Sequence, residues 1–199
     1  MDLISAILLL FLTLDPVGNV PIFLSVLAQV PAARRPRVIL RELILALGVL
    51  LTFLFAGPYL LGALHLSQEA ISIAGGIILF LIALKMVFPV PRPSRAEEEI
   101  AGEPLLVPLA VPLVAGPSAI AVLLLMATRE PERLGVWALA LFVAWLVSVV
   151  ILLAAPLLQR LLGRRGLMAM ERLMGMVLVA LAVQMFLDGL AAWSARGVV

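Results

Sequence analysis

Asp15-Pro16-Val17-Gly18-Asn19 interrupts a stretch that is otherwise almost wholly hydrophobic, residues 3–14 before it and 20–28 after it. Each flank reads as half of a membrane span, which puts the polar cluster close to the middle of a bilayer. A carboxylate at that depth is costly and usually functional. Pro16 and Gly18 release backbone groups that lipid cannot satisfy, so this backbone must line protein or a wetted cavity. A second interruption, Ala115-Gly116-Pro117-Ser118, lies in the fourth apolar stretch. Paired broken helices of this kind point to a transporter.

The rest of the chain agrees with membrane residence. Of its 199 residues 64% are hydrophobic and only 13% charged, and its mean hydropathy is +1.23. Soluble domains are about half apolar and a quarter charged, so water could not accommodate this surface. Six stretches are long enough to span, near 3–29, 38–61, 69–89, 104–127, 134–156 and 171–193. The expected fold is an all-α integral membrane protein, one membrane domain over 1–199, with helices 1 and 4 broken. The acidic Asp2 and the long first apolar stretch argue against a cleavable signal peptide. The absence of cysteine excludes disulfides, thiolate metal sites and thiol redox chemistry.

The basic residues mark topology rather than a nucleic-acid partner. Arg34, Arg35, Arg37 and Arg41 surround the first loop, Lys85, Arg92 and Arg95 the third, and Arg160, Arg164, Arg165 and Arg172 the fifth. Those are eleven of the fourteen basic residues; Arg129, Arg133 and Arg196 fall on the other side. The positive-inside rule then puts the odd-numbered loops in the cytoplasm and both termini outside.

Matches recur down the chain at nearly one offset. Gly18 and Gly116 are 98 apart, as are Pro58 and Pro156; Ala83-Leu84-Lys85-Met86 returns at offset 99 as Ala182-Val183-Gln184-Met185, preceded by Gly76 and Gly175. A unit with three spans returns to the membrane from the opposite side, so the chain reads as inverted repeats, 1–90 and 104–199, joined by a linker at 91–103. Inverted repeats supply two related packings, each open to one side. They also predict that the two interruptions face each other. Half-helix amino ends suit a substrate carboxylate, and carbonyl ends suit a cation or ammonium.

Asp15 can bind a substrate ammonium, coordinate Na⁺ or carry a coupling proton; equally, Asp before Pro is a common helix cap. Asn19 offers a donor and an acceptor to a ligand, or to a local turn. Gly18 and Gly116 can contact a ligand only through backbone, with Pro16 and Pro117 shaping the breaks and Ala115 beside the second. Ser118 is a helix cap or a ligand hydroxyl. Lys85 either snorkels to the interface or serves ion coupling and gating, and Gln184, its repeat equivalent, is placed along the outer half of the path. His65 has no metal partner in sequence.

The runs LDPVGNVPIFLSVL (14–27), VPLVAGPSAIAVLLLM (111–126) and MGMVLVALAVQMFLDGL (174–190) resemble the three signature regions of the MarC family, also called the small neutral amino acid transporter family. The resemblance covers essentially the whole chain. It implies a prokaryotic plasma (inner) membrane protein handling amino acids such as glycine or alanine, and a similarity to the lysine-exporter superfamily. It carries over Asp15, Pro16, Gly18, Asn19, Gly116, Pro117, Ser118 and Gln184 as site positions.

The expected function is therefore secondary transport of small neutral amino acids by alternating access. No HExxH, GxSxG or phosphate-binding loop is present, so the chain reads as no enzyme, needing no cofactor beyond coupling to H⁺ or Na⁺. Its expected partners are the substrate and the lipid bilayer. Two other classes stay open, a non-transporting membrane scaffold or assembly factor, and an ion or small-solute channel.

Overall fold

Asp2 starts the first helix of the computed structural model by accepting a hydrogen bond from the Ser5 N–H at 3.2 Å. The structure describes residues 1–27, 30–88 and 114–195, and among them every regular element is helical. α1 (Leu3–Leu14) and α2 (Pro16–Leu27) meet at Asp15; α3 (Arg35–Ala63) and α4 (Gln68–Val87) follow. After the undescribed residues come α5 (Pro117–Arg129), a single 3-10 turn (Pro131–Arg133), α6 (Leu134–Leu153) and α7 (Ala155–Ala195).

Helix ends explain the connections. His65 takes a left-handed conformation (φ 52°) after α3, and its N–H and that of Leu66 donate back to Gly62 O and Leu61 O at 3.2 and 3.0 Å. That pair of bonds satisfies two carbonyls which a helix terminus otherwise leaves bare. Ser67 then caps α4 by accepting from the Ala70 N–H at 3.2 Å. Inside α7, Gly163 (φ 62°, ψ 178°) breaks the helix in a backbone region open essentially to glycine alone.

Among the described residues, five segments are long and apolar enough to cross a membrane: Leu3–Leu24, Arg35–Ala63, Gln68–Val87, Pro131–Leu153 and Arg165–Ala195. Pro117–Arg129 is a shorter apolar helix. The early part of the expected fourth span and the linker 91–103 lie outside the described residues, so the break in helix 4 is seen only from its C-terminal side. One expectation needs correcting. Residues 157–170, read as a connection, are helical, because Leu, Gln and Arg in that stretch are good helix formers that turn only at Gly163.

Three polar contacts gather one end of the bundle. The N-terminal amine lies 3.3 Å from Glu130, Arg133 donates to Met1 O at 2.8 Å, and the Gln68 side-chain amide donates to Thr128 O at 3.0 Å. The chain start, the head of α4 and the α5–α6 connection therefore share an end. The Arg133 hydrogen bond, 2.7 Å long, holds the Glu130 carboxyl below the usual carboxylate range.

Among the described residues, α4 and α7 form the most extensive helix pair, running antiparallel. The Ser72 hydroxyl donates to Met185 O at 2.8 Å across it. A Cβ on Gly76 would come within 2.9 Å of Ala182 O and Phe186 N, and one on Gly175 within 2.9 Å of the Met86 Cβ and 3.2 Å of Ala83 O. Lipid gives helices no hydrophobic reason to associate, so close backbone approach at small residues supplies the packing. The contacts are reciprocal: Gly76 meets Ala182, and Gly175 meets Ala83. α3 is tied to α6 by Trp145, whose ring N–H donates to Leu43 O at 2.7 Å. Large apolar side chains such as Ile4, Phe55, Tyr59, Leu81 and Val150 stay exposed on the bundle surface, where acyl chains would cover them.

Candidate functional site

The α1–α2 junction is built by its own polar residues. Asp15 ends α1 in the left-handed region (φ 44°, ψ 57°), its N–H still donating to Phe11 O at 3.1 Å. Asp tolerates that conformation better than most residues. Pro16, which has no N–H and a φ already set for a helix, begins α2. The Asp15 Oδ1 accepts the Gly18 N–H at 3.1 Å and so caps α2. Asn19, 6% exposed, donates its side-chain amide to Leu14 O at 3.1 Å, covering a carbonyl at the end of α1. The capping alternatives raised by the sequence for Asp15 and Asn19 are both present. Oδ2 of Asp15 makes no hydrogen bond among the described residues.

Gly18 fits because nothing larger would. A Cβ there would collide with the Asp15 Oδ2 and lie 2.6 Å from the Met86 Cε. Gly18→Ala should therefore swing the Asp15 carboxylate off its cap and cost about 1–3 kcal/mol, the usual range for overpacking. Thermal melting in detergent checks this, and adding Met86→Ala should recover part of the loss.

The second break presents an amino terminus without a side-chain cap. Gly116 is the N-cap of α5 (φ −75°, ψ 162°), Pro117 the first helical residue, and Ser118, 4% exposed, stands inside the first turn. Of the two roles expected for Ser118, capping therefore falls to Gly116. Ile120 N–H returns to Gly116 O at 3.0 Å, while the N–H groups of Ser118 and Ala119 precede the first helical bond and keep the partial positive charge of a helix start.

α4 relates the two breaks. Gln68 lies opposite Thr128 and Gly75 opposite Ala121, so α4 and α5 are antiparallel. The same register sets Gly116 opposite Phe80, six residues, or about 9 Å at 1.5 Å per residue, from the Met86 that touches Gly18. Leu14, Val20, Met86, Val114 and Ala115 belong to one buried cluster. Ala115 and Pro117 also border a groove of about 290 Å³ with Ile71, Ala74, Gly75 and Ile78, whose wall is apolar.

Two expected site residues lie elsewhere. Gln184 is on the exposed face of α7, where its amide donates to Asp188 at 2.7 Å in an i,i+4 pair. The repeat assigned Gln184 a level in the membrane but not a face, and its neighbour one turn on holds it outward. Lys85 is exposed in the last turn of α4, a favourable place for a cation at a helix end. The structure adds two acidic residues. Glu171 on α7 is near enough to Asp15 to interact electrostatically. Glu42 on α3 is completely buried, one oxygen held by Arg41 at 2.9 and 3.1 Å and the other without a hydrogen-bond partner. Its signal was an acidic residue four positions into the second apolar stretch, masked by the arginines beside it.

A profile described as MarC family integral membrane protein matches residues 1–194. The UPF0056 inner membrane protein YhgN of Escherichia coli (strain K12) is 50% identical over 192 residues, covering 96% of this chain and 98% of that protein. A UPF0056 membrane protein of Buchnera aphidicola subsp. Baizongia pistaciae (strain Bp) is 46% identical over 194 residues, covering 96% and 98%. The UPF0056 membrane protein MJ0972 of Methanocaldococcus jannaschii is 35% identical over 189 residues, covering 91% and 83%. No solved structure matches.

Proposed function

The chain belongs to the MarC family of integral membrane proteins, and from that premise we propose that it is a secondary transporter of small neutral amino acids, glycine- or alanine-like, working by alternating access in the prokaryotic inner membrane. The observation that carries this reading is the pairing of a carboxylate oxygen left over at the first break with an uncapped helix start at the second. A zwitterion offers an ammonium to Asp15 and a carboxylate to the N–H groups of Ser118 and Ala119. A small amino acid with a hydrogen bond of about 3 Å at each end spans roughly 9 Å, comparable with the separation of the two breaks along α4. The reciprocal contacts of Gly76 with Ala182 and Gly175 with Ala83 support inverted repeats at 1–90 and 104–199, because a two-fold relation between copies makes each such contact occur twice. Two packings of such a pair would expose the site to opposite sides in turn.

Labelled glycine or alanine, tested for uptake and counterflow in proteoliposomes, decides the proposal. Saturable exchange supports it; no uptake or exchange of any amino acid under either a proton or a sodium gradient overturns it.

The proposed orientation has both termini outside and the odd-numbered loops in the cytoplasm. The chain has no cysteine of its own, so single replacements at exposed Ala33 and Leu66 report it directly. A membrane-impermeant maleimide should label Leu66→Cys in intact cells and Ala33→Cys only after permeabilisation. The reverse pattern would invert the topology.

One observation favours a second reading. The groove beside Pro117 is apolar, as a surface for packing a partner helix would be, and a non-transporting membrane scaffold or assembly factor would use it that way. Absence of exchange, together with copurification of a stable membrane partner, would establish that alternative.

A further inference from the structure

Glu42 stands in the second span, and none of its side chain reaches the surface. Oε1 accepts from the Arg41 Nε at 3.1 Å and from a terminal guanidinium nitrogen at 2.9 Å, whereas Oε2 is sealed in protein with no hydrogen-bond partner. Breaking up or half-satisfying a buried ion pair is expensive, and buried polar atoms are otherwise almost always bonded. Ionisable residues within a span are rare, and they mark ion and proton paths. The site described above does not use this one.

The surroundings decide what Oε2 can receive. α5 and α6 pack against α3. α6 carries no titratable residue, and the only one on α5 is Arg129. Arg129 stands beside Thr128, which meets the head of α4 at the other end of the bundle. Among the described residues of α3, α5 and α6, the other charged groups are thus those of Glu42's own helix, Arg41 first, then Arg37 and Arg35. No cluster of three or more His, Asp or Glu side chains able to hold a metal ion occurs among the described residues. A Na⁺ ion would need several oxygens and would face the Arg41 charge, and an ammonium would need space that a fully buried side chain does not leave. A proton needs one oxygen.

We propose that Glu42 carries the coupling proton of the transport cycle. The inference rests on the transport reading and assigns its coupling ion. In the step itself a proton from the aqueous phase forms an O–H bond at Oε2, and the carboxylate becomes a neutral carboxylic acid. The charge-assisted bonds from Arg41 weaken to ordinary ones, freeing α3 to shift against α5 and α6. Release of the proton on the other side restores the ion pair. At offset 98 the equivalent residue in the second repeat is Ala140, also buried, so one copy alone carries the proton.

The test uses the whole protein in proteoliposomes with labelled alanine. The wild type should exchange alanine at equal pH and accumulate it under a proton gradient. Glu42→Gln should keep exchange within about twofold and lose gradient-driven accumulation by about tenfold or more. Accumulation by Glu42→Gln equal to the wild type, or no gradient-driven accumulation by the wild type, overturns the proposal. No wild-type exchange at all overturns the transport reading and this inference with it. Should Glu42→Gln not fold, Glu42→Asp is used, which keeps a carboxyl on a shorter stem. It should retain gradient-driven accumulation with a shifted pH dependence. Accumulation with the wild-type pH profile overturns the proposal.

Discussion

Asp15→Asn should remain folded while exchange of labelled alanine falls about 10- to 100-fold. The two jobs of Asp15 separate in this variant. Asparagine keeps a side-chain oxygen that can accept the Gly18 N–H now held at 3.1 Å, and Asn caps helices about as well as Asp. It also tolerates the left-handed backbone that Asp15 adopts (φ 44°). What it lacks is the negative charge offered to an ammonium. A hydrogen bond to a charged group contributes about 1.5–3 kcal/mol, and each 1.4 kcal/mol is tenfold in affinity. Asp15→Ala removes both jobs, adding roughly 1 kcal/mol of lost capping to the lost binding. Melting in detergent and exchange in proteoliposomes, measured on both variants, distinguish the roles. Wild-type exchange by Asp15→Asn would reduce Asp15 to a cap, and the substrate site would have to be sought elsewhere.

Gly76→Val and Gly175→Val should each destabilise the protein by about 1–3 kcal/mol or more, the two losses being similar. Gly76 faces backbone alone, and Gly175 faces the Met86 Cβ at 2.9 Å and the Val87 Cγ2 at 3.0 Å as well as backbone. At Gly76 the obstacles are Ala182 O and Phe186 N at 2.9 Å, and at Gly175 they include Ala83 O at 3.2 Å. Neither can move without parting α4 from α7, the most extensive helix pair among the described residues, and with it the Ser72–Met185 hydrogen bond. Gly62, next to whose Cβ position nothing lies within 4 Å, is the control: Gly62→Ala should be nearly neutral. If the valine variants melt like the wild type, the helix pair is not held by close backbone contact.

Several features were legible in the sequence because composition alone forces them. A chain this apolar spans membranes, and the proline at 16 lacks an N–H and crowds the residue before it, so a break at Asp15 follows from backbone geometry. The glycines at 76 and 175 were legible as equivalent positions at offset 99, and the structure shows each in close contact with the facing helix. Faces were harder to read. Gln184 is turned outward by its pairing with Asp188, which depends on how α7 is rotated against α4, and a repeat offset does not fix that rotation. Glu42 was hidden by its neighbours: a lone acidic residue among Arg34, Arg35, Arg37 and Arg41 reads as part of a charged loop margin. Only packing shows that the helix begins at Arg35 and that its eighth residue is sealed inside. The helix over 157–170 escaped notice because its arginines also suit a cytoplasmic connection.

On the transport reading, two oppositely inserted units bring their helix breaks together around one amino acid. An experimental structure determined with alanine present tests it most directly. Ligand density should bridge the Asp15 carboxylate and the N–H groups of Ser118 and Ala119. A midplane filled by protein side chains, with the two breaks apart and no ligand between them, would contradict it.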